Sequence, residues 1–420
     1  MRAKTPRREM RALAGLRRRA PLTALREAAS RRGLDAWIVG GAIRDALLGI
    51  PPLEIDVAVT GESEALARDL EHAGMGRAVF LSRDRPGPRV YRVAGRTPVD
   101  IAEIEGGSIG TDLARRDFTV NAVAFPLDGG PVLDPFGGLE DLTRRRLRCV
   151  REENLREDPL RPLRAARFLA THGLIPDRAT FDAARRAAPG LAGVAPERVA
   201  AEMSRLLASP RAAPALRWAA RAGLLPAALG LGLSPARAAG LARSLAVLDD
   251  LGTRRLPEER RRQLRLAWLA LRMGLSEAKT RLWLQGRRWS RRETDAAARL
   301  TTLAATAVAT AARSDAWRWV VAAGPLAADG AHLAARMGAA GRLRAPRLSR
   351  LANAPRRRLA VSGADVMSWL SLPPGPVVGA LLAELEVAAA SGIVKNRREA
   401  RHWLTGQVRN GSSPAIILTH

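Results

Sequence analysis

The chain has 420 residues, 47% of them apolar, enough to fill the cores of two or three domains. No apolar run is long enough to span a bilayer, and the single cysteine, Cys149, excludes a disulfide framework and fits a reducing cytosol, so a cytoplasmic location is expected. The 69 basic residues against 41 acidic ones leave a formal charge of +28, dominated by arginine, which predicts a polyanionic partner held in a salt-dependent way.

Residues 1–20 are Arg-rich and acid-poor, lack the apolar stretch of a secretory signal, and read as a disordered basic arm that touches RNA. Leu22–Leu34 reads as a helix in front of a strand at Trp37-Ile38-Val39, which Gly40-Gly41 breaks into a tight turn. A helical segment, Ala42–Leu48, follows and is closed by Gly49. Ile55, Val57 and Val59 then alternate with Glu54, Asp56 and Ala58, the period of a half-buried strand, so Glu54 and Asp56 point the same way. Backbone N–H groups in the glycine turn suit a polyphosphate, and neighbouring carboxylates suit a divalent metal. A Walker loop would need GxxxxGK[ST]. This order is that of a nucleotidyltransferase in which carboxylate-held metal bridges a triphosphate and an attacking hydroxyl. An acidic pair on a strand is also what a solvated face looks like, and this stretch alone does not separate the two.

A helix to about Ala73 and strand-like runs at Ala78–Leu81, Arg89–Val93 and Val99–Ile104 give five strands before Pro126, an α+β head. Asp100 lies in the last run and is a candidate third carboxylate beside Glu54 and Asp56, or an edge charge. In ARRDFTVNA, residues 114–122, Asp117 and Asn121 offer the donors and acceptors that ribose hydroxyls need, while Arg116 suits a triphosphate. Asp134–Gly138 makes a turn, and a short basic strand ends at Val150. EDPLRPLRAARFLA then opens a helix, with Asp158 expected at its N-cap and Pro159 at its first position; Arg161, Arg164 and Arg167 share one face. Past Ile175 helices are predicted near 177–187, 196–208, 213–222, 235–249, 257–273, 276–287, 290–312 and 314–322, with a further helical piece over Ala360–Leu404. Trp268, Trp283, Trp289, Trp317 and Trp319 are expected between helices rather than against bases.

In this order the chain resembles the class II tRNA nucleotidyltransferase and poly(A) polymerase family. The resemblance rests on GGAIRDALLG (40–49), EIDVAV (54–59), RRDFTVNA (115–122), DPFGGLEDL (134–142) and EDPLRPLRAARF (157–168), with PERVAAEMSRLL (196–207) and the stretch over 362–400 in support. It implies an α+β fold: a polymerase-β-like nucleotidyltransferase head followed by all-α neck, body and tail domains. With the basic arm over 1–20, these are expected at 21–150, 151–210, 211–335 and 336–420, the tail binding RNA. It implies Mg²⁺-dependent, two-metal transfer from CTP and ATP onto the tRNA 3′ hydroxyl without a nucleic-acid template. By motif, Glu54, Asp56 and Asp100 are catalytic and Glu54 and Asp56 hold metal. Gly40, Gly41, Arg44, Arg116, Asp117, Asn121, Asp158, Arg161, Arg164 and Arg167 bind the nucleotide. No membrane or protein partner is expected. Glu54 stands where the family usually has Asp; being one methylene longer, it must fold back to keep the octahedral geometry of Mg²⁺.

Base choice has a chemistry of its own. Cytosine and adenine both present an amine donor beside a ring-nitrogen acceptor, which the Asp158 carboxylate and Arg161 guanidinium complement. Guanine and uracil reverse that pattern and leave buried charges unpaired, at a cost of about 1–3 kcal/mol or more. Complete CCA addition is the first expectation and CC-only addition its rival. CCA-adding members of the family carry a flexible loop before RRDFT, and the connection from Asp100 to Arg115 here is only IAEIEGGSIGTDLA. Poly(A) polymerase activity, and an RNA-binding protein whose catalysis is weakened at Glu54, are the further alternatives.

Overall fold

The computed structural model describes residues 7–81, 88–249, 255–309, 313–354 and 359–409. The chain divides into two compact units, Met1–Ala242 and Arg243–His420.

The first unit begins with helices α1 (Arg7–Arg17) and α2 (Ala20–Arg31). Leu13 and Leu16 of α1 are buried in the same core as Leu22 and Leu25 of α2. Residues 7–17 are therefore helical, not the disordered arm that their charge predicts, because leucines spaced along one face outweigh the arginines around them. Residues 1–6 lie outside the described part.

Strands β1 (Ala36–Val39), β2 (Ile55–Val59), β3 (Arg77–Phe80), β4 (Val90–Ala94), β5 (Val99–Glu103) and β6 (Ala124–Pro126) form one mixed sheet in the order β3-β4-β5-β2-β1-β6. Only β2 and β5 run parallel. The sequence predicts five strands before Pro126. The sixth, Ala-Phe-Pro, is too short to show a period, and its proline sits at the sheet edge, where a missing N–H is tolerated. Helices α3 (Gly41–Leu47), α4 (Ser63–His72) and α5 (Ile109–Ala114) lie between the strands. Ile38, Ile55, Val57, Val59, Val99 and Ile101 face a core completed by α2 and α4, while Val39 and Ala58 face a smaller one with Leu113. With both faces covered, β2 leaves Asp56 as its one polar side chain, on the face of the smaller core.

Helices α6 (Gly138–Thr143), α7 (Glu152–Glu157), α8 (Arg161–His172), α9 (Arg178–Ala187), α10 (Pro196–Ala208), α11 (Ala212–Arg221), α12 (Leu225–Leu229) and α13 (Pro235–Asp249) follow, and α8 packs on α10 and α11. Short strands β7 (Arg146–Leu147) and β8 (Ile175–Pro176) pair in parallel. The helix expected from Asp158 starts later: α7 ends at Glu157, Asp158 is extended (φ −125°, ψ 97°), and α8 begins at Arg161 with Pro162 in its first turn. Asp158 precedes Pro159, and a residue before a proline avoids helical backbone, so the break falls there.

In the second unit α14 (Glu258–Arg272), α15 (Glu277–Gly286), α16 (Arg291–Ala309), α17 (Arg313–Ala323), α18 (Ala327–Ala334) and α19 (Ala339–Asn353) precede α20 (Gly363–Leu370), α21 (Pro376–Ala390) and α22 (Arg397–Arg409). Helix α16 packs on α14, α15, α18 and α19, and α20–α22 close a second core around Val366, Leu381 and Leu404. Trp268, Trp317 and Trp319 are buried, as expected, and Trp283 and Trp289 half-buried. The periodic pattern does not announce α18 and α19, where Ala and Gly blur the contrast between faces and Pro346 sits inside a helix. Among the described residues no helix is long and apolar enough to cross a membrane.

Candidate active site

The turn after β1 is built on Gly40, at φ 69°. A Cβ there would lie 2.7 Å from a guanidinium nitrogen of Arg116 and 3.4 Å from the Asp56 carboxylate, so only glycine lets these two side chains close over the turn. Arg116 is oriented by Asp112, one helical turn back, through bonds of 3.0 and 3.3 Å. Burial pushes the Asp56 carboxyl up to about 6; Arg116 opposes that rise, and the negative charges of Asp100 and Glu54 add to it.

Register decides the rest of this row. Asp56 on β2 stands opposite Asp100 on β5, and Asp100 opposite Arg92 on β4. Arg92 donates from Nε and Nη2 to the two Asp100 oxygens, at 2.7 Å each, and from Nη2 to Glu54 Oε2 at 2.8 Å. Glu54 itself sits just ahead of β2 with its side chain 54% exposed. The sheet thus brings the three predicted carboxylates together, but two of them share an arginine that periodicity did not single out. Among the described residues no group of three or more His, Cys, Asp or Glu side chains is arranged to hold a metal ion. Asp56 and Glu54 nonetheless offer hard oxygen donors, and the half-buried, under-compensated charge of Asp56 fits a divalent cation.

A second cluster joins the head to the helices behind it. Arg44 of α3, only 7% exposed, donates from Nη1 to Asn121 Oδ1 at 2.7 Å and from Nε to Asp45 at 2.8 Å. Asn121 Nδ2 donates to Asp117 Oδ1 at 2.8 Å, and Arg164 Nε donates to the other Asp117 oxygen at 2.8 Å. Burial raises the Asp117 carboxyl, but Arg164 and Asn121 outweigh it and hold the group at about 2. The guanidiniums of Arg44, Arg164 and Arg167 lie 4.8, 5.7 and 3.9 Å from the Phe168 ring centre. Arg167 is turned inward to pair with the buried Glu202 of α10, and burial lowers its guanidinium to about 10. Asp45 also accepts from His172 of α8 at 3.1 Å.

Asp158 lies three residues ahead of α8, and Arg161 is its first residue. Asp158 accepts from the Leu160 N–H at 3.1 Å and from Arg198 of α10 at 2.8 Å, while Arg161 donates to the Asn154 carbonyl at 2.9 Å. Arg198 lies in the PERVAAE stretch, and Arg92 could have been found from the pairing of VYRVA against VDIAE. Asp45 lies in the GGAIRDALLG stretch and Glu202 in PERVAAE, though neither is singled out there, and His172 lies outside the quoted motifs.

A CC-adding tRNA nucleotidyltransferase of Geobacter sulfurreducens is 33% identical to this chain, over 92% of it and 95% of the relative. The chain belongs to the tRNA nucleotidyltransferase and poly(A) polymerase family. A CCA-adding enzyme of Geobacillus stearothermophilus is 32% identical over 89% of this chain and 93% of its own length. Residues 36–148 match the poly A polymerase head domain, and 173–229 the probable RNA and SrmB- binding site of polymerase A. The crystal structure of a Bacillus stearothermophilus CCA-adding enzyme in complex with CTP superposes with a TM-score of 0.67 at 30% identity, covering 94% of this chain and 99% of that one. As a family member the chain is a nucleotidyltransferase, and the polymerase-β-like head with its helical domains is the fold the sequence predicts.

Proposed function

We propose that this nucleotidyltransferase transfers cytidine monophosphate from CTP to the 3′ end of tRNA, without a nucleic-acid template, and stops after two additions. The sequence put complete CCA addition first; the connection after the third carboxylate reverses that order. Strand β5 ends at Glu103, and Ile104 still donates to Val59 of β2 at 2.9 Å. Helix α5 begins at Ile109, with the Ser108 side chain accepting from Thr111 N–H at 3.2 Å. Glu105 pairs with Arg115. Four residues, Glu105–Ser108, are left between Ile104 and α5, and two of them are themselves tied, too few to swing a lever that re-shapes the site between C and A. The similarity to a CC-adding relative supports the same reading.

Placement supports a role for each residue. Asp56 would hold Mg²⁺, which when bound would shield the triphosphate and acidify the RNA 3′ hydroxyl, while Glu54, expected beside it as a ligand, is drawn to Arg92. Arg116, over the Gly40 turn and beside Asp56, takes triphosphate oxygens. Arg44, Asn121, Asp117 and Arg164 form the floor under sugar and phosphates and hold α8 against the head. Asp158 and Arg161 present a carboxylate and a guanidinium to the base edge, and Arg167 supports them from the core. Complete CCA addition is the second reading, favoured by the similarity to a CCA-adding enzyme and by the fit of that pair to adenine.

The test is product length. tRNA ending at the discriminator base is incubated with Mg²⁺ and each labelled nucleotide, alone and mixed. Two cytidines and no AMP are expected, even on tRNA already ending in CC. A three-nucleotide product ending in A would establish the second reading, and an adenylate ladder or no incorporation would overturn both.

A further inference from the structure

We infer that Arg92 is a positioning residue of the transfer site: its guanidinium occupies Asp100 and Glu54 and leaves Asp56 as the carboxylate open to the cation and triphosphate. The inference rests on the transferase reading above.

On β4, Tyr91 and Val93 face the core, 8% and 1% exposed, so alternation turns Arg92 to the opposite face, in line with Asp100 and Asp56 on the next two strands. An ordinary surface pair makes one contact and contributes little. Here a bidentate fork takes both oxygens of a carboxylate whose side chain is 15% exposed, and the same guanidinium reaches a second carboxylate. Asp100, the candidate third carboxylate, thereby has each of its oxygens engaged by a guanidinium.

The same arrangement accounts for the glutamate at position 54. Its backbone lies ahead of β2, two residues from Asp56, while Arg92 lies two strands away across Asp100. The extra methylene lets the carboxylate cross to Arg92 at 2.8 Å; an aspartate there keeps the charge but shortens the reach. Glu54 and Arg92 therefore act as a pair, and the length of one side chain is matched to the presence of the other.

The probe is Mn²⁺ alone, titrated into the full-length protein, with free Mn²⁺ read by electron paramagnetic resonance and folding checked by thermal melting. Arg92→Gln frees two carboxylates beside Asp56, and Mn²⁺ binding is expected to tighten about tenfold. Arg92→Lys keeps the charge but not the fork and should fall between Gln and wild type. Asp100→Asn should leave Mn²⁺ affinity at the wild-type level, whereas Asp56→Asn should lose it. Unchanged Mn²⁺ affinity in Arg92→Gln, or loss of binding in Asp100→Asn equal to that in Asp56→Asn, would overturn the inference. If Arg92→Gln does not fold, the comparison of Asp100→Asn with Asp56→Asn still decides. The affinities are read without nucleotide or tRNA, so absence of CMP transfer by the wild type would sink the transferase reading and not this ordering.

Discussion

The Asp117 carboxylate and the Arg164 guanidinium, 47 residues apart, meet at 2.8 Å. One belongs to the RRDFT segment of the head and the other to α8, which opens at Arg161. The bond ties the RRDFT segment to α8. It also carries a pH signature. Burial works against the Asp117 charge, but Arg164 and Asn121 hold its carboxyl at about 2, below the ordinary 3.8. The resulting stability is present above pH 4 and is lost as pH falls through 4 towards 2, a contribution of roughly 2 kcal/mol. Asp117→Asn should lower the melting temperature most at pH 5, with the gap to wild type narrowing towards pH 2.5. A gap that is the same at both pH values would contradict the assignment.

Asp56→Ala should abolish CMP transfer and leave tRNA affinity near wild type, because the role proposed for the carboxylate lies with the triphosphate through a metal and not with the grip on RNA. Single-turnover transfer and filter binding measured on the same preparation separate the two. Comparable turnover would remove Asp56 from the chemistry.

Arg161→Ala should relax base choice more than it weakens RNA binding. With the guanidinium gone, cytosine loses its complement, and the gap between CTP and UTP should shrink by about 1–3 kcal/mol in relative kcat/KM. Retained discrimination would show that Arg161 serves only its bond to the Asn154 carbonyl.

Lengthening the connection should change the product. A flexible, glycine-containing insertion after Ile104 should allow AMP addition to tRNA ending in CC while CC synthesis continues. Synthesis that still ends at two cytidines would place the limit elsewhere than in the Glu105–Ser108 link.

Leu13→Ala should destabilise the head by about 2–5 kcal/mol, as other fully buried leucines do, because Leu13 is 0% exposed within the sheet core. A shift in the denaturation midpoint of the full chain measures it. No shift would mean that α1 is dispensable to that core.

The sequence by itself determined the ordered motifs, the change from strand to helix period near Glu157, and the residue types the chemistry needs. These are local properties: an alternation of two places Glu54 and Asp56 on one side, and the GG pair marks a turn wherever it occurs. It also carried most helices of the second unit, because amphipathic periods survive an Ala- and Arg-rich composition until, as in α18 and α19, the two faces become alike. Only the tertiary structure decided what each charge touches. Asp100 reads in sequence as a candidate third carboxylate or an edge charge and stands in space as the partner of Arg92, since cross-strand register is set by sheet pairing and not by neighbours in the chain. The three arginines of α8 look equivalent at three-residue spacing. They part company when the helix packs, Arg161 holding the Asn154 carbonyl, Arg164 the head and Arg167 the buried Glu202. The same holds for residues 7–17, whose charge predicts disorder and whose leucines find a core supplied by distant strands. Burial and pairing belong to the folded surface around a residue, and that surface is assembled from parts of the chain no local window contains.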